Sequence, residues 1–171
     1  IDGIVKHAKE FLTPRAKVFA EEYKDEKLIY MMGSGANYDV AYSFAICLLM
    51  EMQWINSGCI HSGEYFHGPF EVTDYDVPFM LVKSIGHTRH LDERVENFAK
   101  KFTEDLLVLD QKDLDLSTVG EAICCSHPYR RGDPSLRRGD RLRAWSLTRC
   151  SSLYVADAVL RYSTKRKIYV A

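Results

Sequence analysis

Residues 27–32, Lys27 followed by five apolar residues, read as a short strand that stops at Gly33-Ser34-Gly35-Ala36, and from Tyr38 onward the spacing turns helical. A strand that ends in a glycine turn and feeds a helix is the first half of a βαβ unit. That unit commits a chain to a parallel sheet covered by helices. The pattern then repeats. Residues 57–62 predict a second strand, 64–69 a loop with a short helix after it, and 77–85 a strong third strand. Residues 90–102 carry an amphipathic helical spacing through Leu91, Val95, Phe98, Ala99 and Phe102, and 105–109 predict a fourth strand. Ahead of all this, residues 2–24 have apolar positions at helical spacing broken at Pro14, which predicts two helices covering one sheet face. The expected fold class is α/β, with a parallel sheet between helical layers.

The helix after the glycine turn holds the first chemical signal. Residues 40–55 read VAYSFAICLLMEMQWI, and Glu51 is the only charged residue among them. Its helical neighbours are Cys47, Leu48, Trp54 and Ile55, so Glu51 is expected to face apolar surface. A carboxylate buried without a partner answers with a raised pKa, which is how a glutamate becomes a base near neutral pH. Sixteen residues on lies His67, in the loop Glu64-Tyr65-Phe66-His67-Gly68-Pro69. A carboxylate with an imidazole is the minimum equipment for moving protons on a sugar, and histidine suits the task near pH 7. The plain alternatives are a core acid satisfied by local donors for Glu51 and a loop-bracing histidine for His67. Glu64 fits a helix cap or a partner that fixes the His67 tautomer as well as it fits substrate binding. Gly33, Ser34 and Gly35 lie where backbone N–H groups and a helix dipole favour an anion or a sugar hydroxyl, or serve only as a tight turn. His61, His87 and His90 have no ligand spacing and read as solvated or core residues, and Tyr65 and Phe66 as packing residues.

These motifs together resemble the sugar isomerase (SIS) domain family, specifically the second of the two SIS domains in isomerising glucosamine-6-phosphate synthase and the phosphosugar deglycases. The resemblance covers about residues 1–115. It rests on the strand and turn through Ala36, the helix with Glu51, the Glu64-x-x-His67-Gly68-Pro69 loop and the strand from Val77 to Val82. The wording around Glu51 and His67 is most similar to deglycases of fructosamine 6-phosphates, the fructoselysine and fructose-asparagine group. The synthase pattern has a lysine one turn before the glutamate, and here that position is Leu48. The resemblance implies a three-layer αβα domain in which Glu51 acts as base and His67 as ring-opening acid. It implies neither metal nor organic cofactor, and a homodimer with its active site at the subunit contact, where Glu51 and His67 can come from different chains. The substrate would be a sugar phosphate, with its phosphate held outside this chain, since no Ser-x-Ser-x-x-Thr run is present. Alternatives are a phosphosugar aldose-ketose isomerase, an amino-sugar-phosphate deaminase, or a non-catalytic phosphosugar sensor.

Charge divides the 171 residues in two. Residues 1–120 hold 12 Lys or Arg against 20 Asp or Glu, a net of −8, while residues 121–171 hold 11 against 4, a net of +7. The expected organisation is an SIS domain over 1–120, forming the C-terminal half of a two-SIS protein, followed by a basic tail over 121–171. The tail lacks the interleaved aromatic pattern of an RNA-binding sheet, so no nucleic-acid partner is expected. Within it Arg130-Arg131-Gly132-Asp133 recurs as Arg137-Arg138-Gly139-Asp140 beside Cys124-Cys125, and its composition suggests a shifted frame or a diverged segment. Five cysteines without CxxC spacing suggest reduced thiols rather than a disulfide framework or zinc site. The chain starts at Ile1, so it is expected to be part of a longer polypeptide, without membrane partner and cytoplasmic.

Overall fold

A computed structural model of the chain describes residues 2–114. Helix α1 (Asp2–Tyr23) leads into strand β1 (Leu28–Gly33), helix α2 (Ala36–Ser43) and a π-helical continuation (Phe44–Gln53), then strand β2 (Asn56–His61). A 3₁₀ turn (Pro69–Val72) precedes β3 (Phe79–Lys83), helix α3 (Arg89–Ala99), β4 (Leu106–Asp110) and a last 3₁₀ turn (Gln111–Asp113). All strand pairs are parallel, in the order β2-β1-β3-β4. The chain winds outward from β1 to β2, then crosses back to β3. The switch point, where such sheets place their ligands, therefore lies between the carboxyl ends of β1 and β3.

Side-chain alternation along the strands sorts the core into two layers. Ile29, Met31, Met80, Val82 and Leu109 face Ala8, Leu12, Ala16 and Phe19 of α1 together with Ala41, Phe44, Ala45 and Leu49. Met32, Phe79 and Leu81 face Tyr65 and Val95 on the other side, with Phe66, Phe70 and Phe98 packed around them. Both faces of the central strands are covered, which is why residues 28–33 and 79–82 read as unbroken apolar runs rather than alternating ones.

Two local expectations are corrected. Pro14 does not divide the first segment; α1 runs through it as one helix of 22 residues. Proline removes one N–H bond to the carbonyl four residues back, but Glu10 and Pro14 are both exposed, so water can serve that carbonyl. The buried row Ala8, Leu12, Ala16 and Phe19, spaced four, four and three, holds the helix across the break. The helix after the glycine turn also changes winding at Phe44, where i→i+5 bonding replaces the α pattern. It ends on Trp54, whose left-handed backbone (φ 60°) lets the N–H groups of Trp54 and Ile55 both reach the Leu49 carbonyl.

A charge network ties α3 to the ends of β3 and β4. Arg89 grips both Asp110 oxygens at 2.8 and 2.6 Å, and Lys83 bonds Glu96 Oε2 at 2.5 Å and lies 3.3 Å from Asp110. Burial pushes the Asp110 carboxyl up, but the Arg89 bonds, the Lys112 N–H and Lys83 outweigh it and hold the group well below the usual carboxylate range. Burial likewise raises Glu96, and Lys100 and Lys83 reverse the sign. A depressed folded-state pKa gives stability that is complete above the ordinary carboxylate value of about 4 and is lost as pH falls below it. We predict that acid unfolding sets in below about pH 4 and that Asp110→Asn both removes roughly 2–3 kcal/mol and flattens this acid limb. Urea unfolding at pH 7, 4 and 3 checks it; an unchanged acid limb in the variant contradicts the network's role.

Candidate functional site

The loop after β2 is built to present His67. The His61 carbonyl accepts from the N–H groups of Glu64 (2.8 Å) and Tyr65 (3.1 Å), and the His67 N–H bonds the Glu64 carbonyl at 2.8 Å. Tyr65 is fully buried and its hydroxyl is hydrogen-bonded to Thr73 Oγ1. Phe66 packs edge-on to Phe98 with ring centroids 5.4 Å apart, and the Arg94 guanidinium lies over the Phe66 ring, 4.1 Å from its centroid. Tyr65 and Phe66 therefore are packing residues, and their burial pins the backbone on which His67 stays exposed. Gly68 has φ 129°, a conformation closed to other residues at little cost, and Pro69 then starts the 3₁₀ turn. Glu64 is exposed, with no helix-capping bond at Gly68.

At the switch point, Gly35 takes φ 56° and ψ −133° at the N-terminus of α2. The Ser34 side chain is fully buried and donates to the Thr88 carbonyl at 3.2 Å, which joins the β1–α2 loop to the start of α3. Its hydroxyl is thereby committed to the scaffold, so the anion-binding capacity expected of Gly33, Ser34 and Gly35 rests on the backbone N–H groups.

A buried carboxylate that sequence reasoning passed over organises this region. Asp92, fully buried in the first turn of α3, accepts from Ser62 Oγ at 2.6 Å and from the Ser84 N–H at 3.0 Å. Burial raises its pKa, against lowering by Ser62, Ser84, Ser34 and the neighbouring His61. One carboxylate thus gathers the carboxyl ends of β1, β2 and β3. Its signal was present in the sequence: Asp92 occupies the same helical row as the buried Val95 and Ala99.

Glu51 departs from expectation. Its side chain is exposed, not surrounded by apolar contacts. The inward row of its segment is Phe44, Ala45, Leu49 and Gln53, and Glu51 stands two residues from both Leu49 and Gln53, on the opposite face. That outer face is apolar too: Tyr42 (50% exposed), Ile46, Met50, Met52 and Trp54 (56%) are all uncovered, as is Cys47. A helix apolar all round is one that is covered all round. Nothing among the described residues supplies the second cover.

Nor does one chain gather Glu51 and His67 at one loop. Glu51 precedes β2, in a segment packed on the α1 side of the sheet, whereas His67 follows β2, in a loop anchored on the α3 side. Between them lies the six-residue strand Asn56–His61, about 16 Å of extended chain. Among the described residues there is no group of three or more His, Cys, Asp or Glu that would hold a metal ion, and no helix long and apolar enough to cross a membrane. The basic segment, Cys124, Cys125, the repeated Arg-Arg-Gly-Asp and the 121–171 boundary lie outside the described residues.

We predict that Gly68→Ala, which meets open space but a forbidden φ, lowers stability by roughly 1–3 kcal/mol and misplaces His67. Thermal unfolding and turnover of the full-length variant check this; wild-type values in both contradict the role given to the loop's backbone.

No family model matches the chain. It is 51% identical over 123 residues to fructosamine deglycase FrlB of Bacillus subtilis, an alignment covering 72% of this chain and 38% of that protein. It is 34% identical over 87 residues to fructoselysine 6-phosphate deglycase of Escherichia coli, covering 51% of this chain and 26% of that one. Among solved structures, one from Bacillus subtilis assigned as a phosphosugar isomerase superposes with TM-score 0.80 at 36% identity, over 96% of this chain and 45% of that one. The C-terminal domain of glucosamine-fructose-6-phosphate aminotransferase from Francisella tularensis shares the fold at TM-score 0.59 and 17% identity, over 91% of this chain and 42% of that one. The chain thus spans less than half the length of these relatives. With its parallel sheet, its flanking helices and these relatives, the chain belongs to the sugar isomerase (SIS) domain family.

Proposed function

We propose that the protein containing this chain is a deglycase that converts 6-phosphofructosamines to glucose 6-phosphate and an amine or amino acid. The observation that carries the reading is the setting of Glu51: the one carboxylate on an uncovered apolar face, with Leu48 where the synthase pattern has lysine, in a chain 51% identical to a fructosamine deglycase. Leu48 offers no amine for a transferase-type contact, and the apolar ring of Cys47, Met50 and Trp54 would desolvate Glu51 once covered.

In the proposed reaction the sugar ring opens with His67 exchanging the proton, leaving a C2 carbonyl and a C1 bearing the amine. Glu51 removes a proton from C1, the C2 oxygen gains one, and the enaminol forms. Protonation at C2 moves the double bond to C1=N. Water adds at C1 and the C–N bond breaks, releasing the amine and the aldose phosphate. No electrons enter or leave, so the sequence needs no redox group. The substrate's phosphate is held by the part of the protein outside this chain, and 1–120 serve as the C-terminal half of a two-SIS protein.

A homodimer follows in the proposal from the separation of Glu51 and His67. If each site takes Glu51 from one chain and His67 from the other, both the uncovered apolar face and the strand between the two residues have a use. Cys47, four residues before Glu51 and exposed in the single chain, reports on that cover. Cys59 is the internal control, because burial and then Asp39 push its thiol up to about 12.

The test is glucose 6-phosphate release by the full-length protein from a panel of fructosyl-amino acid 6-phosphates, with fructose 6-phosphate and glucosamine 6-phosphate as controls. We predict release that falls roughly 10²–10⁴-fold in Glu51→Gln with binding retained. Turnover of the controls alone assigns an isomerase or deaminase, and binding without turnover a sensor. Independently, we predict that Cys47 resists alkylation in the assembled protein and reacts after dissociation; equal reactivity in both states contradicts a covered Glu51 face.

A further inference from the structure

The carboxyl end of β2 carries a second imidazole that the reaction above does not use. His61 is the last residue of β2, paired with Gly33 at the start of the β1–α2 loop, and it is half-buried. The Gly63 N–H donates to His61 Nδ1 at 3.0 Å. A ring nitrogen that accepts a hydrogen bond carries no proton, so this contact fixes the imidazole with its hydrogen on Nε2. The ring also stands edge-on to Tyr38, centroids 5.0 Å apart, and a Cβ at Gly63 would sit 3.1 Å from His61 Nδ1. The Gly63 hydrogen bond sets the tautomer of this half-buried side chain and, with the Tyr38 edge, its position.

Its surroundings are those of a ligand site rather than of a core histidine. Glu64 lies close enough to Tyr38 for their charges to interact, and Asp92 close enough to His61. Ser62, the next residue, is held by Asp92, and the carbonyl of His61 itself anchors the two N–H groups that start the His67 loop. His61, Tyr38 and Glu64 thus cluster at the same sheet edge as His67 and beside the switch-point loop. A core histidine would bond both its nitrogens within the scaffold; here Nδ1 is taken by Gly63, which leaves Nε2–H to donate.

Resting on the deglycase reading for its substrate, we propose that His61 is a substrate-binding residue of the His67 half of the site, donating its Nε2–H to an oxygen of the open-chain phosphosugar. A donor fixed in this way orients a hydroxyl or carbonyl oxygen of the substrate. The Gly63 contact supplies its preorganisation, and the Tyr38 edge its orientation.

The experiment uses the full-length protein. ¹⁵N NMR of the histidine side chains is expected to show one imidazole, lost in His61→Phe, with unprotonated Nδ1 and protonated Nε2. That Nε2–H resonance shifts on saturation with fructose 6-phosphate. His61→Phe, which keeps a ring against Tyr38, is expected to lower kcat/KM for fructosamine 6-phosphates at least tenfold, while His61→Gln, which keeps an N–H near the Nε2 position, recovers part of the loss. Thermal unfolding of each variant shows that it is folded. A His61→Phe protein with unchanged kcat/KM overturns the proposal, and so does a resonance that fructose 6-phosphate leaves in place. Wild-type protein without deglycase turnover sinks the deglycase reading instead, and the resonance shift then decides His61 alone.

Discussion

Six consecutive parallel pairs, from Leu28 with Asn56 to Gly33 with His61, lay β2 against β1 along its whole length. Everything functional in this domain is referred to that ladder. A paired strand is stiff, and its six residues put about 16 Å between the end that follows the Glu51 segment and the end that leads into the His67 loop. Glu51 is carried at one end, in the π-helical segment, and His67 at the other, in the loop that Tyr65 and Phe66 pin to α3. The sheet also puts the two on different faces, because the Glu51 segment packs with α1 and the His67 loop with Val95 and Phe98. In the proposed function, a site that needs both residues around one sugar would be completed by apposition of two such domains.

The same view explains the outer face of the Glu51 segment. In a single chain an exposed row of Tyr42, Ile46, Met50 and Trp54 is a cost in water, and Glu51 among them is a well-solvated carboxylate. Covering that row removes both conditions at once: the apolar surface is buried and the carboxylate loses its water. In the proposed homodimer, assembly and activation of Glu51 as the base would become one event. The carboxyl edge behaves differently, because it is finished within the chain. Asp92 gathers Ser62 and Ser84, Ser34 bonds Thr88, and Gly63 fixes His61, so the His67 side is rigid before any partner arrives.

The elements were legible where one chain alone decides them. The strands at β1, β3 and β4 and the helix α3 follow from apolar runs and from the Leu91, Val95, Phe98 spacing, and the βα order gave the parallel sheet. Residues 40–55 were misread for a physical reason. A run that is apolar on all sides carries no phase, so neither its π winding nor the side on which Glu51 lies is written in its pattern. Pro14 was overread because the buried row through Ala8, Leu12 and Ala16 outweighs one missing hydrogen bond. Asp92 was missed because a charge inside an amphipathic pattern is usually solvated, and its place in the Val95 row was the only sign. His61 was set aside for want of ligand spacing, whereas its role depends on a backbone N–H two residues on, which spacing rules do not register.

The central claim is that Glu51 and His67 of one site come from different chains, and mixed assembly tests it most directly. Full-length Glu51→Gln and His67→Ala, each inactive alone, are dissociated, mixed in equal amounts, reassembled and assayed for glucose 6-phosphate release. Random reassortment into dimers gives half of them one variant of each kind, and each such dimer holds one intact site of two, so the account predicts recovery of about a quarter of wild-type activity. Recovery of no activity in dimers shown to be mixed would contradict it and return both residues to a single chain.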